Sequence, residues 1–196
     1  AVHYPKWFEW MQQSGLRRAR VYNAPEAVSD VCYEDLSDVR DECEIFQSVI
    51  DQNCERFLET FMTAASPGIV ATTMINRYYD SHEAYLLAVA QELRKEYLYI
   101  VDAGFTLQID APDLAMERAG FFQNQSLSEF KKFVEMHITA LNFALDGIPA
   151  EKVRLHACWG NRNSPHVHDI PCPEILPLLY QAKVGAISLP FANPRH

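Results

Sequence analysis

The chain of 196 residues is long enough to bury a real core, and with 48% apolar and 22% charged residues it has the make-up of a folded globular protein, not a disordered one. Its 17 Lys and Arg against 26 Asp and Glu leave a net charge of −9, the wrong field for phosphate backbones or anionic membranes, so neither nucleic acid nor a membrane is an expected partner. No stretch approaches the ~20 apolar residues of a membrane span, and Ala1-Val2-His3-Tyr4-Pro5-Lys6-Trp7 carries no signal-peptide core, which predicts a cytoplasmic setting.

In chain order, residues 1–40 are the least regular: aromatic to Trp10, then basic at Arg17, Arg18 and Arg20, then acidic and interrupted by Pro25. The basic cluster reads as a solvated face. Cys32, Cys43 and Cys54 recur every 11 residues, but an odd total of five cysteines at wide spacings reads as ordinary thiols, not a disulfide framework. Ile45, Phe46, Val49 and Ile50 have helical spacing within 41–55. Residues 57–65, FLETFMTAA, read as a buried strand closed by a plain turn at Ser66-Pro67-Gly68.

Asp80 with Glu83 reads as a capping box opening a long amphipathic helix that ends at Asp102-Ala103-Gly104. The cycle then repeats. Residues 105–109 form a second strand, Ser126 and Glu129 cap a second helix that Gly147 terminates, residues 153–157 form a third strand, Ile175, Leu176, Leu178 and Leu179 mark a third helix, and 184–189 form a fourth strand. Strands starting near 57, 105, 153 and 184 and alternating with helices are the grammar of a parallel sheet covered on both faces. No GxGxxG or Walker loop follows any strand, which disfavours a nucleotide-binding doubly wound sheet. Ser66, Asp110, Asp113, His156, Cys158 and Asn193 fall at or just past strand ends, and in a (β/α)8 TIM barrel that rim is the active face. A complete barrel takes about 250 residues, so the sequence is expected to hold an incomplete one.

His156-Ala157-Cys158 is the sharpest chemical signal. On extended backbone, residues two apart point the same way, so an imidazole and a thiolate converge with the spacing and softness that select zinc. Asp110 is a carboxylate fit to hold a substrate ammonium or a proton, and Asp113 reads as the cap of the next helix. His166 and His168 read as loop polarity, with metal binding as the alternative.

Phe61 to Gly68, Asn76-Arg77-Tyr78-Tyr79, Asp102 to Asp110, Leu155 to Asn161 and Asn193 to His196 together resemble the cobalamin-independent methionine synthase family, catalytic C-terminal domain type, in its single-domain branch. The likeness runs over 57–196 within one expected domain, 1–196. It implies a TIM barrel and a zinc-dependent transfer of a methyl group from a methyltetrahydrofolate-type donor to a thiol such as homocysteine. It places His156 and Cys158 on two zinc ligands, Asp110 on the residue that holds the thiol substrate's amino group, and Ser66 and Asn161 among the substrate-binding positions. It also puts a glutamate ligand where Pro190-Phe191 stands, and a last cysteine ligand beyond His196. Three other readings stay open: a zinc-dependent alkyl or epoxide transfer to a coenzyme M-type thiol, a metal-free barrel like uroporphyrinogen decarboxylase using Arg77 and Arg195, and an inactive fragment. The sequence leaves the oligomeric state undetermined.

Overall fold

The computed structural model describes residues 4–13, 24–53, 57–161 and 165–192. Cys54, the Arg17-Arg18-Arg20 cluster, Asn193 and Arg195, all singled out above, lie outside them. The elements in chain order are α1 (Pro5–Gln13), β1 (Glu26–Ala27), α2 (Ser37–Gln52), β2 (Phe61–Ala65), α3 (Pro67–Thr73), β3 (Ile75–Asn76), α4 (His82–Asp102), β4 (Thr106–Asp110), α5 (Asp113–Met116), α6 (Leu127–Ala144), a 3-10 turn (Ala150–Lys152), β5 (Val153–His156), α7 (Cys172–Leu179) and β6 (Ala186–Ser188).

The four strands expected from the alternating pattern form one sheet in the order β2-β4-β5-β6, and every neighbouring pair is parallel. The order advances with the sequence and never reverses, as crossovers laid on one side produce; a doubly wound sheet would reverse at a switch point. Two-residue strands β1 and β3 make a separate parallel pair. The architecture is α/β with parallel sheets. Four strands are half of the eight a closed barrel needs, and no closed barrel is formed among the described residues.

Burial corrects the expectation of two covered faces. Ala64, Leu107, Ile109, Val153, Leu155 and Ala157 alternate along their strands onto one face and are all buried. Behind that face α4 and α6 pack on each other, with α3 and α2 against α4 and α7 against α6. On the opposite face Thr106 is buried, but Phe61, Thr63 and Asp110 are exposed and Gln108, Arg154 and His156 only half-buried. The register stacks this face in rows, Thr63-Gln108-Arg154-Ala186 below Ala65-Asp110-His156-Ser188, which are the positions that fill a barrel's interior in layers.

Local deviations from the sequence pattern have local causes. Strand β2 starts at Phe61, not residue 57, because its ladder with β4 begins at the Phe61-Thr106 pair; Phe57 and Leu58 project into solvent. The cap of α4 is Ser81, whose Oγ accepts from Ala84 N at 3.0 Å, not Asp80, and Glu83 then sits in the first turn where the helix dipole favours a negative charge. Ser126 and Glu129 do form a reciprocal capping box at α6. Helix α2 starts at Ser37, so Cys43 lies on it and Cys32 precedes it. The turn at Ser66-Pro67-Gly68 is the start of a helix: Ser66 caps α3 by accepting from Ile69 N, with Pro67 at the first helical position.

Candidate functional site

The site sits where the upper row of the open face meets the strand ends. Asp110 closes β4 and His156 closes β5, and their register places them side by side, His156 Nε2 lying 3.8 Å from Asp110 Oδ1. Cys158 follows two residues on, half-buried like His156. Burial pushes the Cys158 thiol up, the Gly160 backbone N–H pulls it down, and Asp110 and Asp113 push it up again. Without a cation to displace its proton, this thiol holds its proton to higher pH than an ordinary cysteine.

The groove beside them is open and about 460 Å³, lined by Thr63, Ala65, Ile69, Gln108, Asp110 and His156 among others. Below the rim, Arg154 Nε donates to Gln108 Oε1 at 2.8 Å and the guanidinium lies 4.1 Å from the Phe61 ring centre. Glu96 of α4 also borders the groove; burial raises its carboxyl, although the Tyr33 hydroxyl, donating at 2.8 Å, works against that.

The loop after Cys158 is anchored by the buried Trp159, whose Nε1 donates to Ile170 O at 2.7 Å, and turned by Gly160 at φ +83°. Asn161 is exposed at the start of that loop. His166 Nδ1 is 3.0 Å from Asp169 Oδ2 and His168 is exposed. Among the described residues no three His, Cys, Asp or Glu side chains are grouped to hold a metal. A catalytic zinc takes three protein ligands. The described donors, His156 and Cys158, therefore do not by themselves complete a zinc site.

One expectation changes on contact with the geometry. Asp113 does not cap α5: the cap position is Pro112 and no side chain caps it. Instead Asp113, buried, accepts from Ser66 Oγ at 2.6 Å through Oδ1 and meets His137 Nδ1 at 2.8 Å through Oδ2. Its role was hidden because its partners come from α3 and α6. Ser66 is likewise buried, with its hydroxyl turned to Asp113. His137 and its neighbour His82, their Nε2 atoms 3.1 Å apart, were missed. The signal was a histidine set in the apolar stripe of α6 between Phe133 and Leu141, a buried polar position that demands a partner. Arg77, a candidate for anion binding, pairs with Glu26 at 3.1 Å on the β1–β3 ribbon.

Fold and rim together define a one-way-wound parallel α/β protein with polar groups gathered at its strand ends. A solved structure with the same fold is a B12-independent methionine synthase from Shewanella sp. W3-18-1 in complex with selenomethionine, at TM-score 0.60 and 20% identity, the match covering 84% of this chain and 45% of that one. The chain thus spans less than half the length of that protein. No protein-family model matches the chain, and no curated protein does. Among the described residues no helix is long and apolar enough to cross a membrane.

Proposed function

We propose that this chain carries the thiol side of a methyltransferase site, one that passes a methyl group from a methyltetrahydrofolate-type donor to a thiol such as homocysteine. The observation that carries the reading is the 3.8 Å approach of His156 to Asp110 at neighbouring strand ends, with Cys158 two residues further along the chain. In the transfer the donor's nitrogen–methyl bond breaks as the sulfur–methyl bond forms; the thiol gives up its proton and the donor nitrogen takes one up. Asp110, exposed at the groove, receives the acceptor's ammonium group. That preference favours an amino-acid thiol over one of the coenzyme M type.

His156 and Cys158 are the donors this chain offers to zinc, which activates a bound thiol as the thiolate. With two described donors against the three a catalytic site takes, no step is assigned to the metal. The likeness in fold to the methionine synthase above supports the reaction class at the level of scaffold only.

Cobalt(II) titration followed by thiolate-to-metal absorption, with calorimetry of homocysteine, tests the reading. A two-donor site gives a weak cobalt signal that Cys158→Ser abolishes, and Asp110→Asn weakens homocysteine binding about 10- to 100-fold. A signal that survives Cys158→Ser, or homocysteine binding indifferent to Asp110→Asn, overturns it.

A further inference from the structure

Behind the rim, four elements converge on a hydrogen-bonded chain with no place in the chemistry above. It runs from Ser66 at the head of α3, to Asp113 of α5, to His137 of α6, to His82 at the head of α4, with links of 2.6, 2.8 and 3.1 Å. Asp113 and His137 are each only 1% exposed. The directions of the bonds are fixed by what each atom can do. Ser66 Oγ already accepts from Ile69 N, so its hydrogen goes to Asp113. A carboxylate accepts on both oxygens, so His137 Nδ1 must donate to it. The far nitrogen of His137 then shares one hydrogen with His82.

Gly68 leaves the space for this arrangement: a β-carbon there would overlap Asp113 Oδ2 and His137 Nδ1. The chain is also wired to the rim by backbone. Ser66 N donates to Asp110 O at 3.0 Å, and Ala111 N donates to His156 O at 2.8 Å. Asp113 stands three residues after Asp110, just past Pro112. Whatever holds Asp113 therefore holds the turn that joins the ends of β2, β4 and β5.

We infer that His137, through Asp113, is a positioning residue that fixes the Ser66 and Asp110 strand ends, and with them the approach of Asp110 to His156. Apolar side chains of similar volume could fill the same space at no loss of stability. What the polar chain adds is direction: a carboxylate bonded on both oxygens has one orientation, and so does the turn it stands on. The inference rests on the proposed function only where it takes Asp110 as facing substrate.

Amide hydrogen exchange separates positioning from plain stability. In His137→Leu, protection at Ser66 and Ala111 falls at least ~10-fold more than at Leu107 and Leu155, lower in the same sheet. His137→Asn keeps an N–H where Nδ1 stands and restores the rim amides to within about 3-fold of the parent, since the lost Nε2 contact lies away from the rim. Equal loss at all four amides, or failure of His137→Asn to restore the rim, overturns the inference. Should His137→Leu not fold, the parent protein decides: nitrogen-15 histidine spectra must show His137 protonated at Nδ1, and a bare Nδ1 overturns the inference. Homocysteine calorimetry on the same variants gives weaker binding in His137→Leu and recovery in His137→Asn. Parent protein that takes up no homocysteine, while its exchange pattern holds, defeats the proposed function and leaves the positioning role standing.

Discussion

The two faces of the β2-β4-β5-β6 sheet are made by alternate residues of the same strands, yet they obey different rules. Leu107, Ile109, Leu155 and Ala157 are fully buried against helices, while their neighbours Gln108, Asp110, His156 and Cys158 stand half-buried or exposed. Parallel sheets are ordinarily covered on both sides. A parallel sheet with one polar, open face has separated its duties: one face supplies the free energy of folding, and the other displays groups that contribute little to it and are free to bind.

The sharpest way to break that division is to exchange a residue on each face of one strand. Leu155→Ala on the covered face should cost about 2–5 kcal/mol in chemical denaturation, by lost transfer energy and an unfilled cavity. His156→Ala, its neighbour, should stay within ~0.5 kcal/mol and still abolish the cobalt signal. Comparable losses from both would show that the open face is structural after all.

A smaller effect tests how the covered side reaches the rim. Tyr97 of α4 is fully buried and donates from its hydroxyl to Ala65 O at the end of β2, 2.5 Å away; burial holds its hydroxyl far above the ordinary range, so it remains a donor. Tyr97→Phe should cost about 1 kcal/mol, because a half-buried strand-end carbonyl loses its hydroxyl partner.

Acid should act through His82. Burial, and then the facing His137, lowers its pKa in the folded protein, so the unfolded chain binds the proton more readily. Stability is then lost as pH falls below about 6.5, the ordinary value for the unfolded chain. His82→Gln should flatten the fall in melting temperature between neutral pH and about pH 5; an unchanged profile would move the titration elsewhere. The smallest effect belongs to the exposed Lys131–Glu174 pair at 2.6 Å between α6 and α7. Lys131→Ala should cost no more than ~1 kcal/mol, a difference that fades in high salt.

What the sequence disclosed and what it hid divide along the same sheet. Strand positions, their parallel order and the α6 capping box at Ser126 and Glu129 are legible because each depends on residues close together in the chain. Asp110 and His156 are legible as rim residues for a related reason: each is placed by the strand it ends. Asp113 looks like a cap because Pro112 and the following helix are all the sequence shows around it; its true partners, Ser66 and His137, lie 47 and 24 residues away. The missing cover of the second face was hidden too, since Gln108 and Arg154 alternate with Leu107 and Leu155 in the same way whether the polar side meets a barrel interior or solvent.

The buried indole of Trp159 carries a last consequence. It is locked by its bond to Ile170 O immediately next to Cys158, whereas the other two tryptophans, Trp7 and Trp10, both lie in α1, half-buried and exposed respectively. The protein thus contains its own optical probe of the rim: a fluorophore in a dry setting, emitting to the blue of the exposed one, one residue from the thiol whose ionisation or capture by a metal would quench it. A titration of this site needs no attached dye.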